Sequence, residues 1–164
     1  MTVVDHPTAA RLSQALAAGP QQLIAVLSDL FTALPGIRTA TFIATAPDKS
    51  VTHRIGTSNP VDFPVGNVDP VDDGPWNRRI LGDKLPVIGN TVAEMAAFIP
   101  ETDGLVAMGY GACSCFPIVI SGETRGVVAL LGNTGTFTPS TLDRIASLLP
   151  IAALIFTFQG ISDR

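Results

Sequence analysis

Apolar positions recur along the chain with two different periods, and the boundaries between them divide it into elements. His6 to Ala18 carries Leu12, Ala15 and Leu16 on one helical stripe, and Gly19-Pro20 stops it. A second helix is predicted from about Pro20 to Leu34. There Leu23, Ile24, Leu27, Leu30, Phe31 and Leu34 repeat at helical spacing before Pro35-Gly36. Thr39 to Ala46 and Val51 to Gly56 read as strands of a hairpin around Pro47-Asp48-Lys49-Ser50. Thr57 to Gly74, rich in proline and aspartate and without a period, reads as a long loop.

A short helix is predicted at Pro75 to Leu81, a short strand at Pro86 to Asn90 and a small helix at Val92 to Phe98. Pro100 to Gly111 reads as irregular. Ala112 to Ile120 and Arg125 to Gly132 are near-continuous apolar runs joined by Ser121-Gly122-Glu123-Thr124, as expected of paired strands covered on both faces. Thr138 as N-cap and Pro139 in the first turn open a last helix running to about Gln159, which Pro150 should kink. This order predicts an α+β domain: an antiparallel sheet with helices grouped on one face and small helices and loops on the other.

Three stretches resemble the GAF domain family. Trp76-Asn77-Arg78-Arg79-Ile80-Leu81 followed by Pro86-Val87-Ile88-Gly89-Asn90 is similar to that family's short helix and the strand after it. Cys115-Phe116-Pro117-Ile118-Val119-Ile120-Ser121-Gly122-Glu123-Thr124-Arg125-Gly126-Val127-Val128-Ala129-Leu130 resembles its central hairpin, and Phe137-Thr138-Pro139 resembles the start of its terminal helix. The resemblance implies an antiparallel sheet of about six strands with the N- and C-terminal helices on one face. On the other face it implies a pocket under loops and short helices. It also implies a division into an N-terminal helical extension, residues 1–19, and a GAF-like domain, residues 20–160. GAF domains bind cyclic nucleotides, tetrapyrroles, haem or small metabolites, and a few are enzymes. The cyclic-nucleotide signature is absent from this chain. Val61-Asp62-Phe63-Pro64 only loosely echoes the bilin-binding segment. The cysteines that the free methionine sulfoxide reductases need before the strand at Ala112 are missing.

Composition sharpens the picture. The 164 residues suit one domain, and 46% hydrophobic against 15% charged leaves apolar surface for a ligand pocket or a subunit interface. A net charge of −4 with no basic run disfavours nucleic-acid partners. The N-terminus lacks a signal-peptide pattern, and the apolar stretch Ile145 to Phe158 is shorter than the roughly 20 residues that span a bilayer. The chain is therefore expected to be cytoplasmic, with no membrane partner. The apolar terminal helices are the expected surface of a homodimer.

Cys113 and Cys115, the only cysteines, share one strand face. The family resemblance implies that this face looks into the pocket. They could act as nucleophile, acid/base, soft ligand or redox pair, or simply fill space. His53 is a candidate general base or third metal ligand. Cys113, Cys115 and His53 could supply the three ligands a metal site needs if their strands neighbour, but Cys-x-Cys with one distant histidine is a weak signal, so no metal is assigned. Trp76, Arg79 and Tyr110 complete the candidate ligand-binding set, with Arg79 (or Arg78, if the helix turns the other way) able to clamp a carboxylate. The resulting expectation is a stand-alone GAF-like domain binding a small, partly apolar metabolite in a sensory or regulatory role. The alternative is an enzyme using Cys113 or Cys115 with His53. The cofactor is left open.

Overall fold

A computed structural model describes residues 5–158. The expected last-helix end near Gln159 and the outermost parts of both predicted domain segments lie outside the described residues. Helix α1 spans His6–Ala18, capped by the Asp5 carboxylate on the Thr8 amide at 2.8 Å, and α2 spans Pro20–Thr32. Strands β1 (Ile37–Thr45) and β2 (Val51–Thr57) form the first hairpin. β5 (Ala112–Ile120) and β6 (Glu123–Gly132) form the second. The short strands are β3 (Val68–Pro70) and β4 (Val87–Gly89), and α6 (Pro139–Thr157) closes the chain. All pairings are antiparallel, in the order β3-β2-β1-β6-β5-β4.

Period two along the central strands sends alternate side chains to two separate apolar cores. Ala40, Phe42, Ala44, Phe116, Val128 and Leu130 face α1, α2 and α6, and pack with Leu12, Leu23, Leu27, Phe31, Ile145 and Ile155. Cys113, Cys115, Val127, Ala129 and Leu131 face the other way, into a core closed by Phe63, Ile80, Met95, Ile99, Leu105 and Tyr110. The apolar length of α6 would suit a membrane span by composition alone. Here its buried residues, Ile145, Leu148, Ala152, Ile155 and Phe156, lie in the first core instead.

Three local readings are corrected. The long loop contains the edge strand β3, which ends on Pro70; an edge tolerates the missing amide. Pro100 to Gly111 contains helix α5 (Thr102–Ala107), held by buried Thr102 and Leu105 rather than by a periodic stripe. The segment Pro75 to Leu81 is one helical turn, α3 (Pro75–Asn77), running into a π-helical turn over Arg78–Gly82. In that turn the Asp83 amide reaches back five residues to the Arg78 carbonyl at 2.8 Å. The last small helix, α4, covers Val92–Ala96, and α6 continues as one helix through the exposed Pro150.

Candidate functional site

Strand register builds the floor of the second core row by row. Directly opposed residues in antiparallel strands share a face. Thr41, Ala129, Cys115 and Val87 therefore form one row across β1, β6, β5 and β4, and Thr39, Leu131, Cys113 and Gly89 form the next. Ala129 and Gly89 keep the floor low beside the two thiols. A Cβ on Gly89 would stand 2.7 Å from the Cys113 carbonyl and 3.0 Å from Met95 Cγ, so Gly89 lets Met95 settle directly onto the sheet.

Both cysteines are free and buried. Cys115 is the easier of the two to ionise. The Cys113 thiol and then the Trp76 indole N–H direct hydrogens at its sulfur, which lowers its pKa although burial opposes this. Cys113, the donor in that pair and wholly enclosed, is pushed well above the usual thiol range. The Glu101 charge disfavours a thiolate at either position. Half-buried Trp76 on α3 and buried Ile80 on the π-helical turn that follows it lie over this floor; such turns recur at functional sites.

Tyr110 is buried at the far end of the floor. Its hydroxyl meets Thr39 Oγ1 at 2.7 Å, its ring lies against Phe63, and the Arg38 guanidinium sits 4.7 Å above its centroid. Arg38 also donates to the Gly109 carbonyl at 2.8 Å, clamping the segment that carries Tyr110. Arg79 turns away from the floor and donates from Nε to the Pro86 carbonyl at 3.0 Å, which ties the π-helical turn to the start of β4. Arg78 instead lines a cleft of about 280 Å³ whose charged lining is Arg78 and Lys49 with Asp72, Asp73 and Glu123, beside Asn77 and Leu81. In that cleft Lys49 pairs with Glu123, and Asp72 accepts from the Gly74 amide and from Asn77. Arg78 has no ion-pair partner among the described residues.

The structure thus brings Cys113, Cys115, Trp76 and Tyr110 into one apolar cluster on one face of the sheet and separates His53 from them. His53 on β2 pairs with Ala44, whose side chain belongs to the helix-side core, so the imidazole lies on the opposite face of the sheet. β1 and β6 intervene between β2 and β5, a separation of roughly 14 Å at the usual strand spacing. His53 is therefore neither a base for the thiols nor a metal ligand beside them. Sequence reasoning missed Met95 and Thr39, and it held Arg78 only as the alternative to Arg79; Arg78 is the one that lines the cleft. It read Asn90 only as part of a motif. Its amide donates to the Phe137 carbonyl at 3.0 Å and accepts from the Phe137 amide at 2.8 Å, which pins the end of β4 to the entry of α6.

Compared with solved structures, the chain superimposes over its whole length on the GAF domain of an Acinetobacter phosphoenolpyruvate-protein phosphotransferase. The TM-score is 0.73 at 10% identity, covering 100% of both chains. The fold is that of a GAF domain. The GAF domain of the Coxiella burnetii phosphoenolpyruvate-protein phosphotransferase is similar at TM-score 0.72 and 16% identity, over 96% of each chain. The phycocyanobilin-bound GAF domain of a cyanobacterial phytochrome is similar at TM-score 0.69 and 17% identity, over 96% of this chain and 95% of that one. No protein-family model matches the sequence, and no curated protein matches it. The likeness is one of fold, at identities too low to carry function.

Proposed function

We propose that this protein is a sensory or regulatory GAF module that takes a small, partly apolar, carboxylate-bearing metabolite. The ligand sits between the Pro75–Gly82 turn and the sheet. The observation that carries this reading is Arg78, a cation without an ion-pair partner among the described residues, lining a cleft beside Leu81 and the apolar second core. The cleft volume of about 280 Å³ is just below the roughly 300–1,000 Å³ typical of small-ligand sites, which suits a small ligand. A two-pronged guanidinium is suited to a carboxylate. A structurally similar cyanobacterial GAF domain holds phycocyanobilin, so the architecture is able to host a small molecule. The test is a thermal-shift screen of small carboxylic acids, followed by calorimetry on the best binder. Arg78→Ala should abolish binding and leave the apo melting temperature unchanged. Binding that survives this substitution would reject the cleft as the site.

A second reading makes the protein an enzyme with Cys115 as nucleophile and Cys113 as the adjoining acid/base. It is favoured by the two hydrogen-bond donors at the Cys115 sulfur. Cys115→Ser would then abolish turnover of a bound ligand while its affinity persists. Unchanged turnover would remove this reading.

A further inference from the structure

Cys113 and Cys115 stand two residues apart on one face of β5, so their side chains run side by side at a Cα spacing of roughly 6.6 Å set by the strand itself. A disulfide would have to draw the two sulfurs to about 2.05 Å. A bridging metal ion spans two metal–sulfur bonds of roughly 2.3 Å each, which suits parallel side chains better. The third soft donor comes from the cover. Met95 is fully buried, and its side chain rests on Gly89, the residue paired with Cys113. All three sulfur residues belong to one apolar cluster, and no group of three or more His, Cys, Asp and Glu occurs among the described residues.

Calcium and magnesium take oxygen donors, which this cluster does not supply. Thiolate with thioether is a soft set that suits monovalent copper, zinc and iron–sulfur clusters. Zinc fills four positions, with water as the fourth where the protein supplies three, so an enclosed apolar site with three sulfur donors favours monovalent copper. Two thiolates and one monovalent cation leave a single negative charge, and the Trp76 indole N–H is placed to offset it at Cys115. The nearby Glu101 carboxylate, which disfavours bare thiolates, favours a cation between them.

We propose that Cys113, Cys115 and Met95 form a buried site for one Cu(I) ion, bridged between the two thiolates with the Met95 thioether as third donor. On binding, two Cu–S bonds to thiolate form, both thiol protons leave to solvent, and no oxidation state changes. The proposal is independent of the Arg78 cleft, and a loaded site would block Cys115 as a nucleophile. The experiment is an anaerobic titration of the reduced full chain with Cu(I) in competition with a chromophoric Cu(I) chelator. One ion per chain should be withdrawn from the chelator, with two protons released and an ultraviolet thiolate-to-copper band. Cys113→Ser and Cys115→Ser should each abolish the competition, Met95→Leu should weaken it, and Trp76→Phe should weaken it by roughly tenfold or more, as loss of an outer-shell donor does. His53→Ala should leave it unchanged, and Zn(II) should not displace the ion. Failure of the wild-type chain to withdraw Cu(I), or to show the band, overturns the proposal whether or not the serine variants fold. So does undiminished binding in either folded serine variant.

Discussion

Cys115 owes its character to neighbours that approach from two different elements. Cys113 lies on its own strand, and Trp76 arrives on α3, just ahead of the π-helical turn. Its alkylation by iodoacetamide should therefore rise at lower pH than that of a free cysteine, with Cys113 unreactive until much higher pH. Trp76→Phe should move the Cys115 profile upward. Peptide mass spectrometry across a pH series checks both. Asp5 supplies a second pH-dependent prediction. The Thr8 amide and hydroxyl hold its carboxylate below the ordinary value. A depressed acid stabilises above its unfolded pKa and loses that contribution as pH falls through the folded one. The first turn of α1 should thus be intact at neutral pH and fray below the usual aspartate range near 4. Amide exchange at Thr8 reads this directly. At Gly126, an added Cβ would come within 2.1 Å of the Phe156 ring. Gly126→Ala should cost about 1–3 kcal/mol in urea denaturation.

At the scale of elements, the terminal helix depends on its start. Thr138 Oγ1 accepts from the Thr141 amide at 3.2 Å, and Thr138→Ala should cost about 1 kcal/mol by denaturant unfolding. Phe31, fully buried on α2 with its ring 6.3 Å from that of Phe42, bonds the helices to the sheet; Phe31→Ala should cost about 3–5 kcal/mol. The long elements were legible because each buries one face and so repeats apolar residues with its own period. Helix α1 falls at His6–Ala18, the span its stripe and the Gly19-Pro20 stop predict. Strand β3 and helix α5 were illegible for the same reason in reverse. β3 is exposed throughout, and α5 buries only Thr102 and Leu105, so neither has to display a pattern.

For the molecule as a whole, the high apolar content fills two cores, one on each face of the sheet. The apolar faces of α2 and α6, expected as a dimer surface, are occupied by the sheet and by each other. On that side Leu16 and Leu154 stay exposed. A homodimer through the helices would bury these two. Sedimentation should then find a dimer that Leu16→Glu with Leu154→Glu converts to monomer without loss of helical circular dichroism. A wild-type monomer would remove the expectation. The alternation along β1, β5 and β6, the helix stops and the turn residues are local consequences of burial and backbone sterics. From them the sequence by itself determined an α+β sheet with helices on one face, and the shared face of Cys113 and Cys115. Which residues meet across strands depends on strand order and register, which no local period encodes. Only the tertiary structure therefore put His53 on the far face, set Met95 over Gly89 beside the thiols, and turned Arg78 rather than Arg79 toward the cleft.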